Sequence, residues 1–105
     1  MVRGDVYLVD LNPTKGTEIK KTRPAVIISP DEMNRTLKTV IIAPLTSTIR
    51  IFPFRTDCTF QRKKGQIALD QIRSLDKKRL VKKMGNFSSS KINNILEKLS
   101  MIFSP

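Results

Sequence analysis

Asn12-Pro13-Thr14-Lys15-Gly16-Thr17-Glu18-Ile19-Lys20-Lys21-Thr22-Arg23-Pro24 runs without a break into Ala25-Val26-Ile27-Ile28-Ser29. A polar, basic loop empties into a β-branched apolar run, and Arg23 sits at the junction. Pro24 has a fixed φ and is tolerated at the first position of a strand. It also biases Arg23 away from helix towards extended backbone. Such a junction places a side chain at the rim of a rigid sheet. From residue types alone Arg23 has two readings. It is a surface arginine beside a strand start, or a phosphate clamp using the paired N–H donors of its guanidinium.

Working outward, Val6-Tyr7-Leu8-Val9 reads as a strand with both faces apolar, hence central. Ala25–Ile28 is a second short strand. Pro30–Arg35 suits a turn or one helical turn, with Pro30 opening it and Asp31 and Glu32 at the positive end of its dipole. Thr39–Ala43 is a third strand, ending in the polar cluster Pro44-Leu45-Thr46-Ser47-Thr48. Ile51–Thr59 reads as a fourth strand, at an edge or bulged because of Pro53. Gln61–Gly65 is expected to be a basic hairpin turn, Gln66–Leu69 a short strand, and Asp70–Leu75 a tight turn or short helix. Leu80–Gly85 alternates as a half-exposed strand. Ile92, Ile95, Leu96, Leu99 and Ile102 share one face of a helical period, with Ser88 or Ser89 as N-cap. The sum is a mostly β domain over residues 1–105: a small antiparallel sheet, closed or half-closed as a barrel, with a C-terminal helix.

Twenty Lys and Arg stand against nine Asp and Glu, a net charge of +11 on 105 residues. This favours an anionic partner such as nucleic acid, an anionic membrane or an acidic protein. The chain has no histidine and a single cysteine, Cys58. A zinc site, a Ser-His-Asp triad and a paired-histidine ribonuclease mechanism are therefore excluded. Cys58 cannot form an intramolecular disulfide and reads as a small strand residue, in keeping with a reducing cytoplasm. No apolar run approaches the ~18 residues of a membrane span, so a cytoplasmic protein without membrane attachment is expected.

Thr46 ends the third strand, where its hydroxyl suits either a polar turn or a hydrogen bond to a phosphate or sugar oxygen. Glu18 lies among Lys15, Lys20 and Lys21 and reads as an ionised, solvated partner of those charges. The runs Arg62-Lys63-Lys64, Lys77-Lys78-Arg79 and Lys82-Lys83 are each compatible with a solvated face. With the loop they surround one small domain with cations, which suits a phosphate backbone bound in a salt-dependent way. Tyr7 and five phenylalanines give few platforms for base stacking.

Five blocks in order carry a resemblance along essentially the whole chain. They are Gly4–Asp10, Asn12–Glu18, Arg23–Ser29, Ala43–Ser47 and Ala68–Asp76. In these the chain resembles the MazF/PemK (Kid) toxins, the mRNA interferases of type II toxin–antitoxin systems. The resemblance implies an SH3-like barrel, a homodimer, and a cognate antitoxin that covers the RNA site; the net charge adds that this antitoxin is acidic and partly disordered. It implies a bacterial endoribonuclease, independent of metal and ribosome, that cuts single-stranded RNA at short sequences. By the same resemblance Arg23 and Thr46 are the catalytic pair and Glu18 assists. Lys15, Gly16, Thr17, Lys20, Lys21, Ser47 and Thr48 are candidate RNA contacts. The Gln71–Ser74 segment, with Gln71 and Arg73, borders the RNA site and dimer interface. Some members carry a histidine near the arginine; this chain has none, so the general base stays open. The rival expectations are a gyrase-poisoning toxin of the CcdB type, with the same fold and no nuclease chemistry, and a non-catalytic SH3-like binding module.

Overall fold

The computed structural model describes residues 1–11 and 22–105. Lys15, Gly16, Thr17, Glu18, Lys20 and Lys21 lie outside the described residues. The described residues form seven strands and two α-helices in order: β1 (Asp5–Asp10), β2 (Thr22–Ile27), α1 (Asp31–Thr36), β3 (Thr39–Thr46), β4 (Arg55–Phe60), β5 (Lys63–Ala68), β6 (Arg73–Asp76), β7 (Leu80–Asn86) and α2 (Ser89–Ile102). All pairings are antiparallel, in the order β4-β5-β3-β2-β1-β7, with β6 on β3. β3 is the hinge of the architecture. Its first half pairs with β6 through Thr39–Ile42, and its end pairs with β5 through Leu45 and Thr46. One long strand thus belongs to two ladders on the same edge, which curls the sheet into a half-barrel.

The central strands are apolar on both faces because both faces are covered. Val6, Val26, Ile28 and Ala43 join Cys58, Ile67, Leu69, Phe87 and Ile95 in one core cluster. The alternate residues Val9, Ala25, Ile27, Val40 and Ile42 meet Leu75 in a second. β1 lies between β2 and β7, the central position that its apolar faces require. α2 closes the first cluster. Ser88 caps it by accepting the Lys91 N–H at 3.2 Å, Ile95 is buried, and Ile92 and Leu99 pack beside it. Burial of a side chain the size of Ile95 stabilises by about 1.5–3 kcal/mol. Ile102 continues the helical period in sequence but is exposed. The helix is also strapped along β4: Lys91 Nζ donates to the Asp57 carbonyl and Lys98 Nζ to the Arg55 carbonyl, each at 2.7 Å.

Three expectations are corrected. The fourth strand starts at Arg55, not Ile51. Ile51 is fully exposed and Pro53 has no N–H for a ladder, so Ile51–Phe54 stays a loop. In that loop the rings of Phe52 and Phe54 stack with centroids 5.0 Å apart, and the Arg55 guanidinium lies 5.6 Å from the Phe52 ring. The basic turn is only Gln61-Arg62, both with positive φ (50° and 65°), while Lys63–Gly65 already belong to β5. Paired positive φ values match the twist of a two-residue hairpin and let both strands run to its tip. Finally, Asp70–Leu75 is neither turn nor helix throughout. A 3-10 turn over Leu69–Gln71 gives way to β6, whose Leu75 enters the second core cluster.

Candidate active site

Arg23 and Thr46 arrive at the same end of the sheet from neighbouring strands. Arg23 pairs with Val9 across β1–β2. The β2–β3 ladder sets Ala25 opposite Pro44 and Val26 opposite Ala43. The same register, continued two residues, brings Arg23 level with Thr46, and alternation puts both on one face. Both border a cleft of about 400 Å³ at the mouth of the half-barrel. Leu45, Cys58, Phe60 and Met84, the outer end of the first core cluster, give it an apolar floor.

Arg23 is exposed and makes no ion pair among the described residues. As far as the described residues go, its five donors are open to an anion. Thr46 is half-buried, and its Oγ1 accepts the Thr48 N–H at 3.1 Å. That bond uses a lone pair and leaves the hydroxyl hydrogen available to donate. The described residues bordering the cleft include the cations Arg23, Lys63 and Lys64 and no Asp or Glu. Among the described residues, an anionic ligand meets only positive or neutral walls there.

Two residues that sequence reading passed over fix this geometry. Gly65 lies against Thr46: a Cβ on it would sit 2.5 Å from the Thr46 carbonyl oxygen. Only glycine lets β5 approach that closely. Gln66 is buried, and its side-chain amide holds the chain after Thr46 at both backbone groups of Arg50. It accepts the Arg50 N–H at 3.0 Å and donates to the Arg50 carbonyl at 2.9 Å and to Asp57 Oδ1 at 3.0 Å. An isolated Gly or Gln in a polar hairpin carries no mark of such a role in sequence.

Ser47 and Thr48 border the cleft with Thr46. Gln71 and Arg73 do not. Gln71 ends the 3-10 turn and Arg73 pairs with Ile42 in the β6–β3 ladder. Lys63 and Lys64, read in sequence as part of a solvated turn, stand on the cleft wall because β5 starts two residues after the turn begins. Cys58 touches the cleft floor, but burial pushes its thiol pKa up, with Lys91 opposing and Asp57 adding to the effect. A thiol kept protonated is a poor nucleophile. Among the described residues, no three His, Cys, Asp or Glu side chains converge as a metal site.

Residues 2–103 match the family model for PemK-like, MazF-like toxins of type II toxin–antitoxin systems. Among solved structures, the chain is similar to an endoribonuclease in complex with its cognate antitoxin from a mycobacterial species, at 26% identity and TM-score 0.82, with 96% of this chain and 92% of that one covered. A second mycobacterial endoribonuclease matches at 26% identity and TM-score 0.78, over 96% of this chain and 88% of that one. The MazF of a MazE–MazF structure from Deinococcus radiodurans shares the fold at 24% identity and TM-score 0.82, over 97% of this chain and 94% of that one.

Proposed function

Because the chain belongs to the PemK-like, MazF-like toxins of type II toxin–antitoxin systems, we propose that it is an endoribonuclease that cuts single-stranded RNA at the Arg23–Thr46 cleft. The observation that carries this reading is the convergence of an unpaired arginine and a strand-end threonine on one cleft with no acidic wall among the described residues. RNA supplies its own nucleophile. The 2′-oxygen bonds to the adjacent phosphorus, the bond from phosphorus to the 5′-oxygen breaks, and the ends are a 2′,3′-cyclic phosphate and a 5′-hydroxyl. The 2′-hydroxyl loses its proton to a base and the departing 5′-oxygen takes one up. What the protein must add is in-line positioning and stabilisation of charge on the equatorial phosphate oxygens.

Arg23 is suited to that charge, since a guanidinium presents a planar fork of donors and stays protonated. The Thr46 hydroxyl, oriented by the Thr48 N–H, donates to the same phosphate or its sugar. Ser47 and Thr48 line the path beside it. Glu18 is the candidate base, and Lys15, Gly16, Thr17, Lys20 and Lys21, in the sequence that leads to Arg23, are the candidate RNA contacts. Gln71 and Arg73 contact RNA beyond the cleft or border the dimer interface. The reading includes a homodimer and an acidic antitoxin drawn to a chain of charge +11. Catalysis uses no metal. Incubation of the protein with a long single-stranded RNA in EDTA, followed by end-group analysis, tests it: 2′,3′-cyclic phosphate ends are expected, and 3′-hydroxyl ends overturn the mechanism.

A further inference from the structure

We propose that the β4–β5 hairpin forms a second phosphate-binding wall of the cleft, with Lys63 holding an RNA phosphate next to the one clamped by Arg23. This rests on the reading of the cleft as an RNA site. Alternation along β5 puts Lys63 and Gly65 on the face of Ile67, which is buried in the first core cluster. Their partners across the ladder, Phe60 and Cys58, are floor residues of the cleft. Lys63 is thus the residue at which the inward face of the hairpin reaches the barrel mouth. It is charged and exposed there, with no ion pair among the described residues. Lys64 falls on the other face, beside Gln66, and borders both this cleft and the adjoining hollow that contains Asp57.

The turn that aims Lys63 is held under strain. Gln61 and Arg62 both adopt left-handed backbone without being glycine, a conformation that L-residues with a Cβ resist. Gln61 Nε2 donates to the Met84 carbonyl at 3.4 Å and ties the turn to β7 across the cleft floor. A tight, tethered turn starts β5 immediately and fixes the position of Lys63; a longer loop would leave it mobile. The substrate implied is a strand extending at least one phosphate beyond the scissile one on the hairpin side, bound there without base preference because the contact is to backbone.

The test is fluorescence anisotropy with a single-stranded RNA carrying 2′-fluoro groups throughout, which removes the nucleophile, titrated between 50 and 300 mM KCl. A single-strand phosphate contact contributes a slope of about 0.7 in log K against log salt. Lys63→Ala is expected to lower the slope by that amount and to weaken binding about fivefold at 0.1 M salt. Lys63→Arg should restore both. Lys38→Ala, just before the far end of β3 from Thr46, should match wild type. An unchanged slope in Lys63→Ala overturns the proposal, as does an equal drop in Lys38→Ala, since charge count alone would then set binding. Wild-type cleavage of unmodified RNA is measured in parallel. If wild type cuts and the slope is unchanged, only the hairpin wall fails. If the slope falls but wild type does not cut, only the nuclease reading fails.

Discussion

Replacement of Gly65 by alanine should damage catalysis without touching a catalytic side chain. The added Cβ would lie 2.5 Å from the Thr46 carbonyl oxygen and 3.4 Å from its carbonyl carbon, both backbone atoms that cannot rotate away. A carbon–oxygen contact of this kind relaxes at about 3.3 Å, so β5 and the end of β3 must separate by roughly 0.8 Å. Overpacking on this scale costs about 1–3 kcal/mol. The pairing at risk is Leu45 with Ile67 and Thr46 with Gln66, the last two pairs holding the strand end in place. Misplacement of a catalytic group by ~1 Å costs on the order of 10²-fold in rate. Gly65→Ala should therefore lose kcat by tens of fold, approaching ~10²-fold. KM should change little, because the cleft keeps its cations. A fluorogenic single-stranded RNA gives kcat and KM, and a urea titration gives the stability. Full activity at unchanged stability would refute the argument. A loss of activity that tracks only the unfolded fraction would refute its positional part.

Other outcomes follow from the same contacts. Gln66→Leu removes three hydrogen bonds made by a buried amide and should destabilise the chain by about 2 kcal/mol, since Arg50 is exposed and recovers water; hydrogen exchange at Arg50 and Thr48 should rise, and unchanged exchange contradicts the clamp. Asp70→Asn weakens the two-point contact with buried Arg55, at 2.9 and 3.3 Å. Asp70 is itself about a third exposed, so the expected loss in urea unfolding is about 1–3 kcal/mol, below that of a fully buried pair; a neutral effect would show that water replaces the carboxylate. Cys58 should alkylate with iodoacetamide more slowly at pH 8 than the same cysteine in the urea-unfolded chain, because burial raises its pKa and lowers the thiolate fraction. The rate should climb as pH rises above the ordinary thiol range, and equal folded and unfolded rates would contradict that burial.

The apolar strands were legible because their residue types leave few options. Val6–Val9, Ala25–Ile28 and Thr39–Ala43 are β-branched or apolar on both faces, and the structure buries both faces. The α2 face is legible from its period up to Leu99; Ile102 follows the period but is exposed and packs in no core cluster. Polar strands were harder. β6 reads Arg73-Ser74-Leu75-Asp76 and exists as a strand because the first half of β3 offers it a free edge. That is a tertiary cause with no local signature. The hairpin tip is hard to read for a related reason: Gln61 and Arg62 take positive φ that residue type argues against, so residue type alone makes the turn too long and takes Lys63 and Lys64 out of the strand. At the site, Arg23, Thr46, Ser47 and Thr48 were named from the chain and border one cleft. Gly65 and Gln66 were not, since their roles depend on a strand brought alongside Thr46 from some twenty residues on.

Whether Arg23 and Thr46 together cut RNA is decided by cleavage of a long single-stranded RNA in EDTA. Wild type, Arg23→Ala and Thr46→Ala are compared at equal folded concentration. Arg23 is exposed and unpaired among the described residues, so its removal should leave stability within about 0.5 kcal/mol. Discrete cuts by wild type and a loss on the order of 10²-fold or more in each variant are expected. Intact RNA with wild type, or cutting at the wild-type rate by either variant, would contradict this.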